Sequence, residues 1–422
     1  MPRNELARGT GSSVVVDSCQ VCGSTRLESV VFLGYLPPVN QMWSIGTPPR
    51  EQPSYPAHLV RCPDCNLVQL GLTVDPAVLF PPEYPYSSGT TRILRENFAQ
   101  LRDEVVERLG LQLSDLVVDV GSNDGTLLAA FHRHGQRVCG IEPSDMGKLA
   151  QQRGIATLID FFGPVAARVV REQHGPARVV TATNVFAHIE DVLSILDNII
   201  FMLDERGVFI SESHYLASLL ETLQYDTIYH EHLRYYSLHS LKYLLELRGL
   251  EAIYARRIPT HGGSIRVYAA KSGVYSVDES VPRLLAEEKL AGLNQSEVYA
   301  QFRRDVGKSK RDILALIRDL KQGGATIFGI GAPSRASTLI NYLGIDDGML
   351  DAVLEIAGSY KIGKYMPGTV IPVLEESLLF ERQPDYAFLL SWHIADELIP
   401  KLRARGYRGR FIVPLPQPRV VE

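Results

Sequence analysis

The amino-acid sequence predicts an α/β protein with a small N-terminal domain, a central Rossmann-like domain and a smaller C-terminal Rossmann-like α/β domain. At 422 residues the chain is too long for one ordinary domain. Four of its five cysteines lie within a turn-rich stretch at the N-terminal end. From about residue 96 short apolar strands alternate with helical stretches, which implies a parallel sheet covered on both faces.

Changes in sequence texture give the domain boundaries. Residues 1–75 have little helical periodicity, and residues 76–95 form a connector rich in proline and tyrosine. Residues 96–279 carry the alternating strands and helices, and residues 280–322 are predicted to form one linker helix. A second strand–glycine loop–helix unit, A-T-I-F-G-I-G-A-P-S-R-A-S-T-L-I-N, opens the C-terminal domain at residues 323–422.

The composition is that of a soluble globular protein. Hydrophobic residues make up 45% and charged residues 22%, and the net charge is −5. This balance gives no general attraction to nucleic acid or to an anionic membrane. The N-terminal stretch lacks an apolar core of signal-peptide length, and no run of about 18 apolar residues occurs. We therefore expect a cytoplasmic enzyme, a monomer or weak oligomer, with neither a nucleic-acid nor a membrane partner.

Two C-x-x-C pairs, Cys19–Cys22 and Cys62–Cys65, predict a metal site in the first domain. Four thiolates form a closed tetrahedral Zn²⁺ site with no open position, so we interpret the ion as structural. The region has little apolar core of its own, and the metal would supply folding free energy. The alternatives are a redox motif, which needs only one pair, and chance. Cys139 lies in a predicted strand and is expected in the core.

The first glycine loop, V-V-D-V-G-S-N-D-G-T-L-L at residues 117–128, ends a strand and begins a helix. Its backbone amides are expected to face the crevice above a parallel sheet, where ligands usually bind. The pattern D-x-G-x-x-x-G differs from the dinucleotide pattern, and its flanking carboxylates suit a cationic amino-acid ligand better than a phosphate. The next strand ends in Glu142, where an acid can bind both hydroxyls of a ribose.

This loop and acid resemble motif I and the second-strand acid of class I S-adenosylmethionine (SAM) methyltransferases. The central domain is therefore expected to have that fold and to bind SAM. Asp160, after the third predicted strand, and Asn184, after the fourth, would line the adenine and methionine ends of SAM, although either could simply cap a helix. The glycine loop itself could also be an unoccupied turn. The predicted cofactor-binding residues are Asp119, Gly121, Asn123, Asp124, Glu142, Asp160 and Asn184.

Further motifs in the same order resemble the sugar C-methyltransferases over essentially the whole chain. They are N-V-F-A-H-I-E-D, Y-H-E-H-L-R-Y-Y-S, H-G-G-S-I-R-V-Y, G-I-G-A-P-S-R-A-S-T-L-I-N and G-K-Y-M-P-G-T-V-I-P-V. The resemblance implies a zinc-binding N-terminal domain, a C-terminal domain that helps to hold a nucleotide-sugar, and methylation at C3 of a dTDP-4-keto-deoxysugar. Such chemistry needs a base, hydrogen-bond donors for the enolate oxygen and close positioning of two substrates.

The segment I-Y-H-E-H-L-R-Y-Y at residues 228–236 has residues suited to that need. The family resemblance places Glu231 and His232 at the active site, with His232 as the base or as the donor to the C4 oxygen and Glu231 as the partner that orients it. The same resemblance places His188 at the active site and Tyr84 and Tyr86 in the sugar pocket. His261 is expected to line that pocket.

Other interpretations of this segment remain open at this point. It could be an aromatic surface loop whose histidines only cap helices. A metal site is less favoured, because His230, Glu231 and His232 alternate instead of following H-E-x-x-H spacing. In an extended chain the two histidines would share one face, so Glu231 and His232 could cooperate only if the backbone turned there.

The second glycine loop has Ser334 where a dinucleotide loop would carry a third glycine, so NAD is not expected. Arg335 could contact a phosphate or stand exposed without a role. Glu355 and the Gly-Ser that follows depart from the pattern expected in the family, which leaves the exact nucleotide-sugar open.

Two other functions compete with C-methylation. The same SAM site could methylate oxygen or nitrogen. A zinc-ribbon nucleic-acid-binding module is the alternative from another class. Against it, the only cations within residues 1–75 are five arginines, Arg3, Arg8, Arg26, Arg50 and Arg61.

Overall fold

The structure is a computed structural model that describes residues 13–80 and 92–422. Within those ranges no helix combines the length and the apolar character needed to cross a membrane.

The N-terminal region is built from antiparallel strands. Strands β1 and β5 pair with each other, and strands β2, β3 and β4 form a sheet that a strand from the central domain, β11, extends at the β4 edge. The bounds are β1 Ser13–Val15, β2 Glu28–Leu36, β3 Tyr55–Arg61, β4 Val68–Leu70, β5 Leu72–Val74, helix α1 Pro76–Leu79 and β11 Arg234–Tyr235. The segment that carries the predicted catalytic pair therefore belongs to the sheet of the first domain.

The central sheet has the strand order β8-β7-β6-β9-β10-β13-β12. Strands β6 to β10 are parallel, as predicted, whereas β13 and β12 join antiparallel at one edge and were not predicted. The strand bounds are β6 Leu116–Val120, β7 Arg137–Ile141, β8 Thr157–Leu158, β9 Ala177–Thr183, β10 Leu203–His214, β12 Leu250–Ile258 and β13 Ser264–Lys271.

Helices cover both faces of this sheet. Their bounds are α2 Arg92–Leu109, α3 Thr126–His132, α4 Asp145–Gln152, α5 Pro164–His174, α6 Val192–Met202, α7 Leu216–Glu221 and α8 Leu238–Glu246. Because the carboxyl ends of β6 to β10 meet at one edge, the residues that follow these strands lie close together.

The predicted single linker helix is wrong in one respect, because the stretch forms two helices, α9 Ser280–Leu290 and α10 Ser296–Gln322. The chain between them passes through Gly292, whose φ of 70° cannot continue a right-handed helix. One face of α10 is buried at intervals of three or four residues, and that face lies against strand β2 and the C-terminal domain. The buried residues are Tyr299, Phe302, Val306, Ser309, Ile313 and Ile317.

The C-terminal domain has the strand order β16-β15-β14-β17-β18-β19, parallel except for the antiparallel pair β18–β19. Its bounds are β14 Ile327–Ile330, α11 Ser334–Leu343, β15 Ala352–Glu355, β16 Val373–Glu375, α12 Ser377–Arg382, β17 Tyr386–Leu389, α13 Ala395–Ala404, β18 Arg410–Val413 and β19 Arg419–Val421. This arrangement agrees with the predicted second Rossmann-like domain.

The three parts share their cores. One buried apolar cluster runs from strands β2 to β4 through α10 into the C-terminal sheet. A second cluster joins Cys19, Cys62 and Cys65 to one face of the central sheet, and it contains Cys139, as expected. This shared packing brings side chains from all three parts to one junction.

Candidate active site

The cysteine quartet has the geometry of a metal site. The Sγ atoms of Cys19 and Cys65 are 3.5 Å apart, as are those of Cys22 and Cys62, and all four Sγ atoms lie within 4.8 Å of one another. Tetrahedral Zn²⁺ with Zn–S bonds of about 2.3 Å separates its ligands by about 3.8 Å, so the quartet fits the ion. Among the described residues, no other group of His, Cys, Asp and Glu meets this test.

A residue in the left-handed conformation follows the second cysteine of each pair. These residues are Gly23, with φ of 75°, and Asn66, with φ of 57°. Each reverses the chain so that both thiols of a pair point the same way, which explains the glycine after the first pair. The donor set contains thiols alone, which suits a structural ion with no open position.

The first glycine loop lies between strand β6 and helix α3. Gly121 has φ of 69°, and a Cβ atom there would lie 2.5 Å from Val185 Cγ2, so only glycine fits. The Glu142 carboxylate accepts from the Asn123 backbone N–H at 3.0 Å and from the Ser144 backbone N–H at 3.0 Å. The predicted ribose acid therefore lies across the mouth of the loop.

Two carboxylates beside this loop have different surroundings. Asp119 is buried and accepts from Thr181 Oγ1 at 2.6 Å, and burial raises the pKa of Asp119 to about 7. Asp124 accepts from Thr126 Oγ1 at 2.6 Å and has an ion pair with Arg153 Nη1 at 3.1 Å. Asp124 therefore binds the first residue of helix α3, and its assignment to the cofactor stays a prediction.

The two weaker cofactor predictions lie at the same edge of the sheet. Asp160 follows strand β8, is exposed and accepts from the Phe161 backbone N–H at 2.8 Å. Asn184 follows strand β9 with φ of 57°. Its side-chain Oδ1 is buried and has no hydrogen-bond partner among the described residues, so it is available to a ligand.

Four histidine rings form a cluster beyond the ends of strands β9 and β10. The ring centroids of His188 and His214 each lie 4.9 Å from that of His232, and His261 lies 5.6 Å from His214. Tyr229 packs on His232 with centroids 4.2 Å apart. The predicted His188, His232 and His261 therefore come together, and His214 joins them without having been predicted.

The tautomer of His232 follows from one contact. Its Nδ1 atom lies 2.9 Å from the backbone oxygen of Thr227, which can only accept, so Nδ1 carries the proton. The Nε2 atom is left with a lone pair. The contact that orients Nδ1 in this structure comes from the Thr227 oxygen, and the role of Glu231 as partner of His232 stays a prediction. Glu231 Oε1 instead accepts from Asn40 Nδ2 of the first domain at 2.7 Å.

The two histidines of the segment do not share a face, contrary to the prediction for an extended chain. The His232 backbone N–H donates to the Tyr229 oxygen at 3.0 Å, so the chain turns here. His230 packs against Tyr55, with centroids 5.7 Å apart, and its Nε2 lies 3.4 Å from the Pro56 oxygen. His230 therefore faces the first domain while His232 faces the cluster.

The cluster is uncharged at neutral pH. Burial lowers the pKa of His188 and of His261 to about 4, and lowers the pKa of His214 and His232 well below the ordinary value. A neutral imidazole can accept a proton or donate one hydrogen bond. The cluster therefore suits proton transfer to or from an acidic carbon atom.

Arg335 is buried, contrary to the interpretation that it stands exposed, and its partner in the structure is a carboxylate. Its guanidinium forms two hydrogen bonds with Asp226, from Nε to Oδ2 and from Nη2 to Oδ1, both at 2.8 Å. Trp392 Nε1 donates to the same carboxylate at 2.7 Å. This ion pair joins the C-terminal domain to the loop before His232.

The C-terminal domain contributes a second set of polar groups to the junction. Tyr360 OH donates to Asn40 Oδ1 at 3.3 Å, and Lys361 Nζ donates to the Ala332 oxygen at 2.5 Å. Glu355 accepts from the Ala332 backbone N–H at 2.9 Å. Glu355 thus relates to the second glycine loop as Glu142 relates to the first.

Tyr84 and Tyr86, predicted from the family resemblance, lie outside the described residues. The residues that sequence reasoning missed are His214, Thr227, Asn40 and Asp226. His214 ends strand β10 at the ligand-binding edge, and the rule applied to Asn184 would have found it. The other three act through tertiary contacts that no local pattern indicates.

Three family models match the chain: a C-methyltransferase C-terminal domain at residues 259–416, a methyltransferase domain at 93–255, and a proposed zinc-binding domain at 19–80. The C-methyltransferase NovU from Streptomyces niveus is 34% identical over 409 residues, which cover 96% of this chain and 97% of NovU. The chain belongs to the C-methyltransferase family of NovU. The resemblance drawn from the sequence motifs is thereby confirmed, and the chain is a SAM-dependent C-methyltransferase with a zinc-binding domain.

Two of the solved structures that resemble this C-methyltransferase each cover less than half of its chain. The magnesium protoporphyrin IX methyltransferase ChlM from Synechocystis PCC 6803, with bound SAM, is 17% identical and covers 44% of this chain and 88% of its own, with a TM-score of 0.33. The PH0226 protein from Pyrococcus horikoshii OT3 is 14% identical and covers 46% and 98%, with a TM-score of 0.37. At these TM-scores the likenesses add nothing to the family assignment.

Proposed function

We propose that this C-methyltransferase removes the proton from the carbon next to the ketone of a nucleotide-activated 4-keto-deoxysugar and methylates that carbon, C3, with dTDP as the nucleotide. The proposal rests on the position of His232. The lone pair on its Nε2 atom lies among neutral imidazoles, at the carboxyl edge of the sheet that carries the first glycine loop. A carbon acid needs such a base close to a methyl donor.

The proton steps follow from the residues. His232 Nε2 takes the C3 proton, the C–H electron pair becomes the C3–C4 double bond, and the C4 oxygen gains the negative charge. The enolate carbon then attacks the methyl group. The first glycine loop and Glu142 would hold SAM, which would supply the methyl group from its sulfonium, the S–CH₃ electron pair staying on sulfur. His188, or Tyr84 or Tyr86, donates a hydrogen bond to the enolate oxygen.

The low basicity of His232 in the free enzyme is offset during the reaction. Proton transfer creates an imidazolium next to the enolate, and opposite charges in contact stabilise each other strongly in a site that excludes water. Neighbouring imidazoles remain neutral, so they add no repulsion to the new cation. The cluster thus favours the charge pair of the transition state over the isolated charge.

Deuterium exchange tests the proposal. The full-length protein with a dTDP-4-keto-deoxysugar in D₂O and demethylated SAM should introduce deuterium at C3, followed by NMR or mass spectrometry. His232→Asn should lose this exchange. Product analysis with labelled SAM should place the methyl group on carbon. A methyl group on oxygen or nitrogen, with no exchange at C3, would overturn C-methylation as the activity.

The nucleotide end of the substrate is assigned to the C-terminal domain. Support comes from the second glycine loop, which faces Glu355 and Lys361 at the same junction as Glu231. Equilibrium binding of dTDP, UDP and GDP to the full chain measures this preference, and dTDP should bind most tightly. Equal affinity for all three would refute the choice of nucleotide while leaving the methylation chemistry intact.

A further inference from the structure

A buried ion pair connects the C-terminal domain to the loop that precedes His232. Asp226 is fully buried and Arg335 is 6% exposed. Both carboxylate oxygens of Asp226 accept from Arg335, and Trp392 Nε1 donates to one of them. The pair therefore has the two-pronged geometry that fixes a carboxylate in both position and orientation.

Such a pair adds little net stability, because taking two charges out of water offsets most of their attraction. What it provides is position. The carboxylate can occupy only the place where all three hydrogen bonds are made. The loop at Asp226 is thus held from the C-terminal domain in addition to the hydrogen bonds of its own short turn.

The fixed residue is one peptide away from the group that orients His232. Asp226 lies in the turn Tyr225–Thr227, and the Thr227 oxygen accepts from His232 Nδ1 at 2.9 Å and from Tyr235 OH at 3.0 Å. A shift of Asp226 would move this oxygen. The imidazole would then lose the contact that keeps its proton on Nδ1.

The same guanidinium also reaches the turn that carries His261. Arg335 Nη2 donates to Gln224 Oε1 at 3.3 Å, and Gln224 Nε2 donates to the Gly262 oxygen at 2.7 Å. One side chain of the C-terminal domain is thus connected to two loops of the histidine cluster. Neither connection involves a histidine of the cluster directly.

We infer that Arg335 and Trp392 are positioning residues, through which the C-terminal domain sets the orientation and tautomer of His232 by way of Asp226 and Thr227. This inference rests on the proposed function for the role of His232 in proton transfer. It extends the C-terminal domain from holding the nucleotide-sugar to ordering the base.

Two variants separate positioning from stability. Asp226→Asn breaks the two-pronged pair and leaves a buried charge. The double variant Asp226→Leu with Arg335→Met removes both charges and keeps the volume, a replacement that is often neutral for folding. Arg405→Met with Glu376→Leu removes an ion pair inside the C-terminal domain and serves as the matched control. Trp392→Phe removes the indole N–H donor and leaves a smaller aromatic ring beside Arg335.

The first measurement needs no substrate. In full-length protein labelled with ¹⁵N-histidine, the His232 signal is identified by its loss in His232→Asn. The wild type should show the Nδ1–H tautomer alone. The Asp226→Asn and double variants should show a mixture of tautomers, Trp392→Phe a smaller change, and the control pair none. An unchanged tautomer in the folded double variant would overturn the inference.

The second measurement uses the reaction. In the double variant, C3 exchange and kcat should fall together by roughly 10²-fold, the lower end of what a positioned acid–base group contributes. The KM for the nucleotide-sugar and the Kd for SAM should stay within about twofold. A raised KM with an unchanged kcat would assign Arg335 to substrate binding and refute positioning. If the wild type exchanges no sugar proton, the proposed function fails, and the NMR result still decides this inference.

Discussion

Asp119 lies beneath the first glycine loop with its carboxylate shielded from water. Its partner is Thr181 Oγ1, a neutral donor, so burial raises the pKa of Asp119 to about 7. Glu142, one strand away, also contributes to this shift. Near neutral pH the carboxyl group is therefore partly protonated in the free protein. A cation bound nearby would favour its ionised form.

SAM affinity should consequently depend on pH. SAM carries a sulfonium and an ammonium group, so its binding should release a proton from Asp119. The Kd should rise by up to about tenfold per unit as the pH falls below 7, and should level off above pH 8. Calorimetry at pH 6, 7 and 8 in buffers of different ionisation enthalpy measures both the affinity and the released proton.

Asp119→Asn should remove this dependence, whereas Asp145→Asn, at an exposed carboxylate that begins helix α4 after strand β7, should keep it. A dependence that persists in Asp119→Asn would place the titrating group elsewhere.

The segment around His232 offers a matched pair of histidines. His232 faces the cluster and His230 faces Pro56 of the first domain. His232→Asn should lower turnover by roughly 10²–10⁴-fold, the usual contribution of a positioned acid–base group. His230→Asn should cost far less in protein that remains folded. Steady-state rates for both variants give the comparison, and equal losses would mean that the segment acts only through folding.

Glu231→Gln should have an intermediate effect. An amide oxygen can still accept the hydrogen bond from Asn40, so the junction should keep its geometry. Only the negative charge is lost. A loss as large as that of His232→Asn would show that the charge itself takes part in proton transfer.

Strand β4 lies between the cysteine quartet and the loop that carries His232. Cys65 precedes this strand, and β4 pairs antiparallel with β11, with the Leu70 backbone N–H donating to the Leu233 oxygen at 2.9 Å. Leu233 directly follows His232. We therefore expect order at the zinc site to reach the loop that carries His232 through this strand.

Purified protein should hold about one zinc ion per chain, bound by the four thiolates. Chelation, or Cys62→Ser, should lower folding yield and turnover together, while the SAM affinity of the surviving folded protein should remain. Elemental analysis, circular dichroism and calorimetry make the three measurements. Cys139→Ser is the control, because this buried thiol lies in the central sheet and outside the quartet. Zinc-free protein with full turnover would contradict the connection through β4.

The elements that local pattern determines could be predicted from the sequence. The glycine loop after β6, the acid at Glu142 and the two cysteine pairs each need fixed residue types at fixed spacing, and each lies where it was expected. Strands β12 and β13 were missed, because their pairing depends on tertiary partners more than on local periodicity. The orientation of His232 was missed for the same reason, since it depends on a carbonyl at Thr227 that any residue could supply.

At the scale of the whole molecule, the histidines make stability depend on pH. Burial lowers the pKa of His188, His230 and His261 to about 4 each. The unfolded chain takes up protons at these positions near pH 6.5, before the folded protein does. The contribution of these histidines to the free energy of unfolding is thus fully present above about pH 6.5, and it is lost as the pH falls from there towards 4.

Urea unfolding at pH 7.5, 6 and 5 should show this loss as a falling midpoint. His261→Gln should reduce the slope below pH 6.5 by up to one proton, or about 1.4 kcal/mol per pH unit. His134→Gln, at an exposed position, is the matched control. If both variants keep the wild-type slope, the acid sensitivity arises outside the cluster.

The pairing of β4 with β11 also bears on how the enzyme reaches its active form. These strands come from distant parts of the sequence, and contacts of that kind form late because a long loop must close first. The glycine loop and its strands are local and can form early. During refolding, the ability to bind SAM should therefore return before the ability to exchange the sugar proton. A newly made chain would acquire its cofactor pocket first and its chemistry only when the three parts have docked.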